Sequence, residues 1–332
     1  MITMKDIAEK AGVSQSTVSR VLSGNSSVSP EKRQIVMEWV RLLEYRPSYS
    51  AQILASKKSY LIGLILPDLG NPFFIEITRQ VERLASRQGY NLILCNSEGD
   101  QRKERNSFQS IRARHVDGIL IVPSRSDSTI LTTILNASIP AVVLTQEHPD
   151  FDSVSIDHGY GGRLVAQHLL SLGHQGILFV GQRGELKISG FLQFYSEKGI
   201  ALPEIHYLEV DSWDQKRAHR SYEYALEFFN RPESKDVTAV YAGNDLSAFG
   251  VMHALNELKI AVPSQVAVVG FDNTFLAQEA WPTLTSVAQP TEEIGRTAIE
   301  MLLDRLVNND KRAVQHVRLE PRLVVRKSSG GY

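Results

Sequence analysis

A chain of 332 residues with 42% hydrophobic and 22% charged residues and a formal net charge of −1 has enough apolar mass for two or three packed domains; it is neither intrinsically disordered nor a uniformly basic nucleic-acid coat. The single cysteine, Cys95, sits in the apolar run 91–95 and excludes an internal disulfide, so a buried inert thiol in a reducing cytoplasm is expected. The start MITMKDIAEK has no apolar core of a signal peptide and no run of about eighteen apolar residues occurs, which points away from secretion and from the membrane.

The near-neutral total hides an asymmetry: residues 1–58 hold nine Lys/Arg against five Asp/Glu, a local net charge of +4, which leaves −5 for the rest. Within that basic head, MKDIAEKAGVSQSTVSRVL (residues 4–22) reads as two short helices around a glycine. Thr3 caps the first, with Asp6 three residues on as its capping-box partner. Ile7, Ala8 and Ala11 form an apolar face, and Gly12 takes the positive φ that ends the helix. Ser14 caps the second helix, whose apolar positions are Val18, Val21 and Leu22. A small residue at the crossing, a permissive one in the turn and a plug in the second helix make a helix-turn-helix. Gln15, Ser16, Ser19 and Arg20 then face solvent, where polar and cationic groups reach base edges in a major groove. Two packed surface helices without a nucleic-acid role remain the alternative at this point. Ser29-Pro30-Glu31 starts a third helix, whose Ile35, Val36, Trp39, Val40 and Leu43 supply the apolar face the first two need, and Tyr45-Arg46-Pro47 stops it. The segment 48–56 is too short for a stable free helix and leaves Leu54 an unexplained apolar residue.

From Tyr60 the pattern becomes alternation of short apolar strands with helices of ten or more residues, which means parallel sheets covered on both faces. The units are too many for one compact sheet, so two α/β subdomains are expected, with 288–307 and 314–325 crossing back between them. Open parallel sheets bind ligands off the carboxyl ends of their strands. Asp68, Asn71, Phe73 and Phe74 follow the first strand, and Thr145, Gln146, Asp157, Asn244, Asp245, Asp272 and Asn273 follow later ones. Such donors and acceptors with two aromatic rings suit a hydroxylated or heteroaromatic small molecule. Helix capping is the competing role for Asp157, Asn244 and Asp272, and a core role for one of Phe73 and Phe74. No phosphate-loop, zinc-protease, nucleophile-elbow or dinucleotide motif occurs; His158, His168 and His174 lack metal-ligand spacing, so neither an enzyme nor a cofactor is expected.

The words KDIAEKAGVSQSTVSRVL, GLILPDLGNPFF, DGILIVPS, VSIDH, GNDLSAFG, VVGFDN and LTSVAQP resemble the lactose/galactose (LacI/GalR) repressor family nearly end to end. The resemblance implies a helix-turn-helix domain at 1–46, a hinge helix at 47–58, and a ligand-binding and dimerisation core at 59–332. That core is two Rossmann-like lobes of the periplasmic-binding-protein type, at about 59–157 with 290–317 and 158–289 with 318–332. It implies double-stranded operator DNA, a small-molecule effector and a second copy of the chain as partners. Gln15, Ser16 and Arg20 would read bases, with Thr3, Ser14, Thr17, Ser19, Asn25 and Tyr45 beside them. Ala51, Leu54 and Ala55 of the hinge would meet the minor groove, Leu54 as a wedge. Effector contacts would fall on Phe73, Phe74, Thr145, Asp157, Lys187, Phe191, Asn244 and Asp272, and Trp213 would add a stacking ring or else be a half-buried surface tryptophan. Two features depart from the family: Lys187 stands where an arginine is usual, behind a shortened loop at 181–185, and Thr145 stands where many members have aspartate. Lysine lacks the planar bidentate grip of arginine. A sugar or sugar phosphate is the first choice of effector and a nucleobase or nucleoside the second. A cytoplasmic sugar-binding module that ignores DNA is the rival from another class. The chain stops soon after Val325 without a heptad tail, so a dimer rather than a tetramer is expected.

Overall fold

The computed structural model describes residues 2–22, 27–45, 58–125, 128–308 and 312–330 and separates into two units, 1–59 and 60–332. The first unit is built from α1 (Met4–Ala11), α2 (Gln15–Leu22) and α3 (Pro30–Leu42). Thr3 Oγ1 accepts from the Asp6 amide at 3.4 Å while Asp6 Oδ2 accepts from the Thr3 amide at 2.7 Å, the reciprocal capping box. Gly12 leaves α1 at φ 65°, and the Thr17 amide donates to Ser14 Oγ at 3.2 Å to start α2. Ser29 caps α3 ahead of Pro30. Ile7, Ala8, Val18, Val21 and Val36 close one small core, with Trp39, Val40 and Leu43 packed around it. Ile35, expected on that face, is exposed instead.

The second unit holds two six-stranded sheets. The first lobe orders its strands β11-β5-β4-β3-β1-β2: His316–Leu319, Asp152–Ile156, Ala141–Thr145, Gly118–Ile121, Leu61–Leu66 and Asn91–Asn96. All its pairings are parallel. Alternate side chains go to opposite faces. Ile62, Leu64 and Leu66 meet α4 (Pro72–Arg87) and α12 (Thr291–Asn308). Ile65 meets α5 (Gln101–Arg112) and α6 (Thr129–Asn136) on the other face. The second lobe runs β12-β10-β9-β8-β6-β7: Arg322–Val324, Thr285–Ala288, Ala267–Asp272, Ala239–Ala242, Gly176–Val180 and Glu204–Leu208. Among the described residues only the β10·β12 pairing in it is antiparallel. α7 (His158–Ser171) and α8 (Leu186–Lys198) cover one face; α9 (Arg217–Phe229) and α10 (Asp245–Glu257) cover the other, and a short α11 (Leu276–Glu279) precedes β10.

The chain crosses between lobes at β5–α7, β10–α12 and β11–β12. The last crossing corrects the expected boundary: Arg318 and Leu319 pair with Ser155 and Ile156 in the first sheet, so the first lobe runs to Leu319 rather than 317. Asp152, fully buried at the start of β5, is gripped by Arg305 of α12 (2.6 and 2.8 Å) and by Arg312 (2.6 and 3.1 Å). These hydrogen bonds and charges hold its carboxyl below the usual carboxylate range against the opposing effect of burial. No helix among the described residues is long and apolar enough to cross a membrane.

Candidate nucleic-acid interface and interlobe pocket

On α2 the plugs Val18 and Val21 turn inward, which leaves Gln15, Ser16 and Arg20 exposed and Thr17 and Ser19 half-buried. Ser14 Oγ lies 2.8 Å from Ser16 Oγ and 2.9 Å from Thr17 Oγ1, so three hydroxyls cluster at a helix N-terminus whose dipole favours phosphate oxygen. Thr3, at the start of α1, is exposed, its hydroxyl donating to Asp6 at 2.8 Å. Tyr45 is a correction: at 8% exposure it packs into the three-helix core, and desolvation pushes its phenol pKa up. Asn25, Ala51, Leu54 and Ala55 lie outside the described residues.

The second unit has a cleft of about 700 Å³ between its lobes, lined by loops at the carboxyl ends of both sheets. Phe73, Phe74, Thr145, Asp157, Lys187, Trp213, Asn244 and Asp272 all line it. Phe73 and Phe74 meet edge-on at 5.0 Å between centroids and are both almost buried, so each is core and wall at once. Trp213 lies 6.1 Å from the Phe74 ring and packs on Gly99, where a Cβ would meet the Trp213 Cβ at 2.5 Å. Asp157 and Asn244 also cap helices, accepting from the Tyr160 amide (2.7 Å) and the Ser247 amide (2.8 Å). Capping and lining are therefore compatible, since each carboxyl or amide oxygen has lone pairs to spare. Asp272 is instead held by Gln289 Nε2 (2.6 Å) and Asn71 Nδ2 (3.3 Å), the second a bond between lobes. Burial pushes the carboxyls of Asp272 and its neighbour Asp245 up, and repulsion from Asp272 adds to the effect on Asp245. Thr145, which lines the cleft, holds φ 67°, a strained conformation for a β-branched residue.

Lys187 donates to the Gly243 carbonyl at 2.6 Å, lies 3.9 Å from Glu185 and sits 4.4 Å over the Phe271 ring. It reaches there because α7 and α8 touch backbone to backbone. A Cβ on Gly162 would stand 1.8 Å from the Lys187 carbonyl oxygen, and one on Gly190 2.0 Å from that of Gly159. One turn on, Phe191 is the second correction: fully buried and stacked on Tyr241 at 5.7 Å, it belongs to the lobe core. The same side of α8 faces the cleft at its first turn and the sheet thereafter. Cys95 is half-buried, and desolvation raises its thiol pKa, in keeping with an unreactive group.

The loop after β1 also ties the lobes together. Arg217 of α9 reaches Asp68 with Nη2 2.6 Å from Oδ2, and both side chains are 2% exposed. Sequence reasoning marked Asp68 but missed Arg217, and it missed the lining residues Ser124, Ser155, His158, Glu185 and Gln289. Polar residues inside otherwise buried stretches, as in DSVSI at 152–156, were the signal available.

Residues 3–48 match the family model for bacterial regulatory proteins, lacI family, and residues 166–329 match a periplasmic binding protein-like domain. The chain is 34% identical over 341 aligned positions to the HTH-type transcriptional regulator DegA of Bacillus subtilis (strain 168), covering 98% of each chain. Its fold superposes on the crystal structure of the lac repressor dimer bound to operator and the anti-inducer ONPF with a TM-score of 0.85 at 28% identity, again over 98% of each chain. A LacI family transcriptional regulator from Enterococcus faecium with bound ribose aligns at TM-score 0.71 and 29% identity, over 82% of this chain and 99% of that one.

Proposed function

As a member of the LacI family of bacterial regulatory proteins the chain is a DNA-binding transcriptional regulator and not an enzyme, and we propose that it works as a homodimeric repressor whose hold on a near-palindromic operator is set by a sugar or sugar phosphate in the interlobe cleft. The observation that carries this reading is the union, in one chain, of an outward polar face on α2 with a cleft whose walls mix rings, amides and carboxylates. Gln15, Ser16 and Arg20 are the base-reading residues. Ser14, Thr17, Ser19 and Thr3 fix the head on phosphates, since such contacts position the protein while base edges specify the site. Leu54 of each hinge is the wedge at the operator centre, and Ala51 and Ala55 are further minor-groove contacts. Two heads related by a twofold axis then demand two half-sites. The dimer and the carbohydrate effector extend to this chain the dimeric state of the lac repressor bound to operator and the bound ribose of the Enterococcus faecium regulator.

In the cleft, Asp157, Asn244, Asp272 and Lys187 offer donors and acceptors to hydroxyls, and Phe73, Phe74 and Trp213 cover the ring faces. The Phe74–Trp213 pair also favours a nucleobase as the second reading, because a heteroaromatic plane stacks there equally well. Effector binding changes the angle between lobes and with it the spacing of the hinges. By linkage, effector and operator alter each other's affinity by the same factor.

Selection of genomic fragments by the purified protein, followed by titration of the recovered sites with and without candidate sugars, tests the whole reading. Binding should weaken steeply with salt as counterions are released. Protein that selects no fragment even at low ionic strength would overturn the repressor reading and leave the free-standing sugar-binding module.

A further inference from the structure

Two hydroxyls on the first-lobe side of the cleft have no partner among the described residues. Ser124, after β3, is 4% exposed and Ser155, on β5, is 5% exposed; both line the cleft, and neither Oγ has a hydrogen bond. A hydroxyl kept from bulk water and left unpaired is unfavourable unless something that enters the cleft satisfies it. Behind Ser124 stands Glu104 of α5, fully buried: its Oε1 accepts from the Ser124 amide at 2.8 Å and its Oε2 from Ser128 Oγ at 2.6 Å. Glu104 thus fixes the loop that presents Ser124, and it sets a negative charge one hydrogen bond behind the cleft floor.

The cations near this floor offer an anion little. Arg318 is 62% exposed and faces Glu147 at 3.3 Å, Arg125 is exposed at the rim, and Lys187 is held by Gly243 and Glu185. The lining carries Glu147, Asp157, Glu185 and Asp272 against those three cations, with Glu104 behind. A phosphate brought here would lose its water without gaining a free cation.

We propose that Ser124 and Ser155, positioned and backed by Glu104, form a hydroxyl-reading subsite that takes an unphosphorylated polyhydroxy ligand and turns its phosphate ester away. This rests on the carbohydrate reading above and narrows it to one of the two classes named there.

The test uses full-length protein and matched probes: D-ribose with ribose 5-phosphate, D-glucose with glucose 6-phosphate, D-fructose with fructose 6-phosphate, plus cellobiose, adenine, guanosine and inorganic phosphate. Thermal shift selects binders and calorimetry measures them. At least one neutral sugar should bind, its ester at least about tenfold more weakly, and inorganic phosphate should not compete. Ser124→Ala and Ser155→Ala should each weaken the neutral sugar about tenfold, the loss of one hydrogen bond. Glu104→Gln keeps an acceptor for the Ser124 amide but removes the charge, so the gap between sugar and ester should narrow about tenfold, a ratio that a purely structural role would leave alone. An ester that binds as tightly as its parent overturns the subsite while sparing the carbohydrate reading, and so does a neutral sugar that ignores both serine substitutions. Binding of adenine or guanosine alone, or of nothing in the set, overturns both.

Discussion

Replacing Arg217 with methionine removes one half of an ion pair that joins the two lobes. The guanidinium lies 2.6 Å from the Asp68 carboxylate, and neither side chain is more than 2% exposed. At an effective dielectric constant of 20 the bare attraction is about 6 kcal/mol. Desolvation of both ions offsets much of it, yet removing a single partner strands the other charge and costs about 3–5 kcal/mol. Opening of the cleft is the route by which Asp68 can regain water, so the loss divides between a lower unfolding free energy in urea and a larger radius of gyration by X-ray scattering. Methionine in place of Arg217 and leucine in place of Asp68 together leave no stranded charge, and that double variant should return to within about 1 kcal/mol of the parent, because apolar replacement of a buried pair is close to neutral. Additive losses in the double variant, or an Arg217→Met protein with parental stability and parental scattering, would show that the pair does not hold the lobes.

His158 carries a pH dependence: burial of its ring against Phe271, with Lys187 nearby, lowers its pKa to about 3 from the usual 6.5. Between those values the unfolded chain binds a proton that the native one refuses, so this contribution is present above pH 6.5 and falls by up to about 1.4 kcal/mol per pH unit below it. The raised carboxyls of Asp245 and Asp272 act in the opposite direction, which makes the difference between parent and His158→Gln the informative quantity; equal slopes of unfolding free energy from pH 6.5 to 5 would refute the assignment. Gly190→Ala drives a methyl into the Gly159 carbonyl and should cost at least about 1–3 kcal/mol while displacing Lys187, whereas Gly184→Ala, with nothing within 4 Å, should be silent; matching urea midpoints for the two would contradict the close helix crossing. Arg20→Ala should relax base preference at one position of each half-site by about 1–3 kcal/mol, read by competition between operator variants, and a loss uniform across all sequences would make Arg20 a phosphate contact instead.

Local chemistry wrote much of this fold directly into the residue order. Thr3 and Asp6 cap α1 across three residues, Gly12 ends it, and Ser29-Pro30 opens α3, because each needs only neighbours within one helical turn. The alternation of apolar strands with helices announced two α/β lobes in the same way, though not the antiparallel β12 at the edge of the second sheet, and the strand ends named eight of the cleft-lining residues. Asp100 opens α5 in the same local way, its carboxyl accepting from the Arg102 and Lys103 amides.

Which side chains meet across the cleft belongs to the tertiary structure alone. Asp68 and Arg217 are 149 positions apart, and no local pattern marks either as half of a pair. Phe191 and Lys187 lie one turn apart on one helix, yet the close α7–α8 crossing buries the first and opens the second to the cleft. Ser124 and Ser155 are ordinary serines in the chain and become unpaired hydroxyls only once the fold shuts water away from them. Burial and charge pairing depend on distance in space, and the order of residues fixes that distance only within an element.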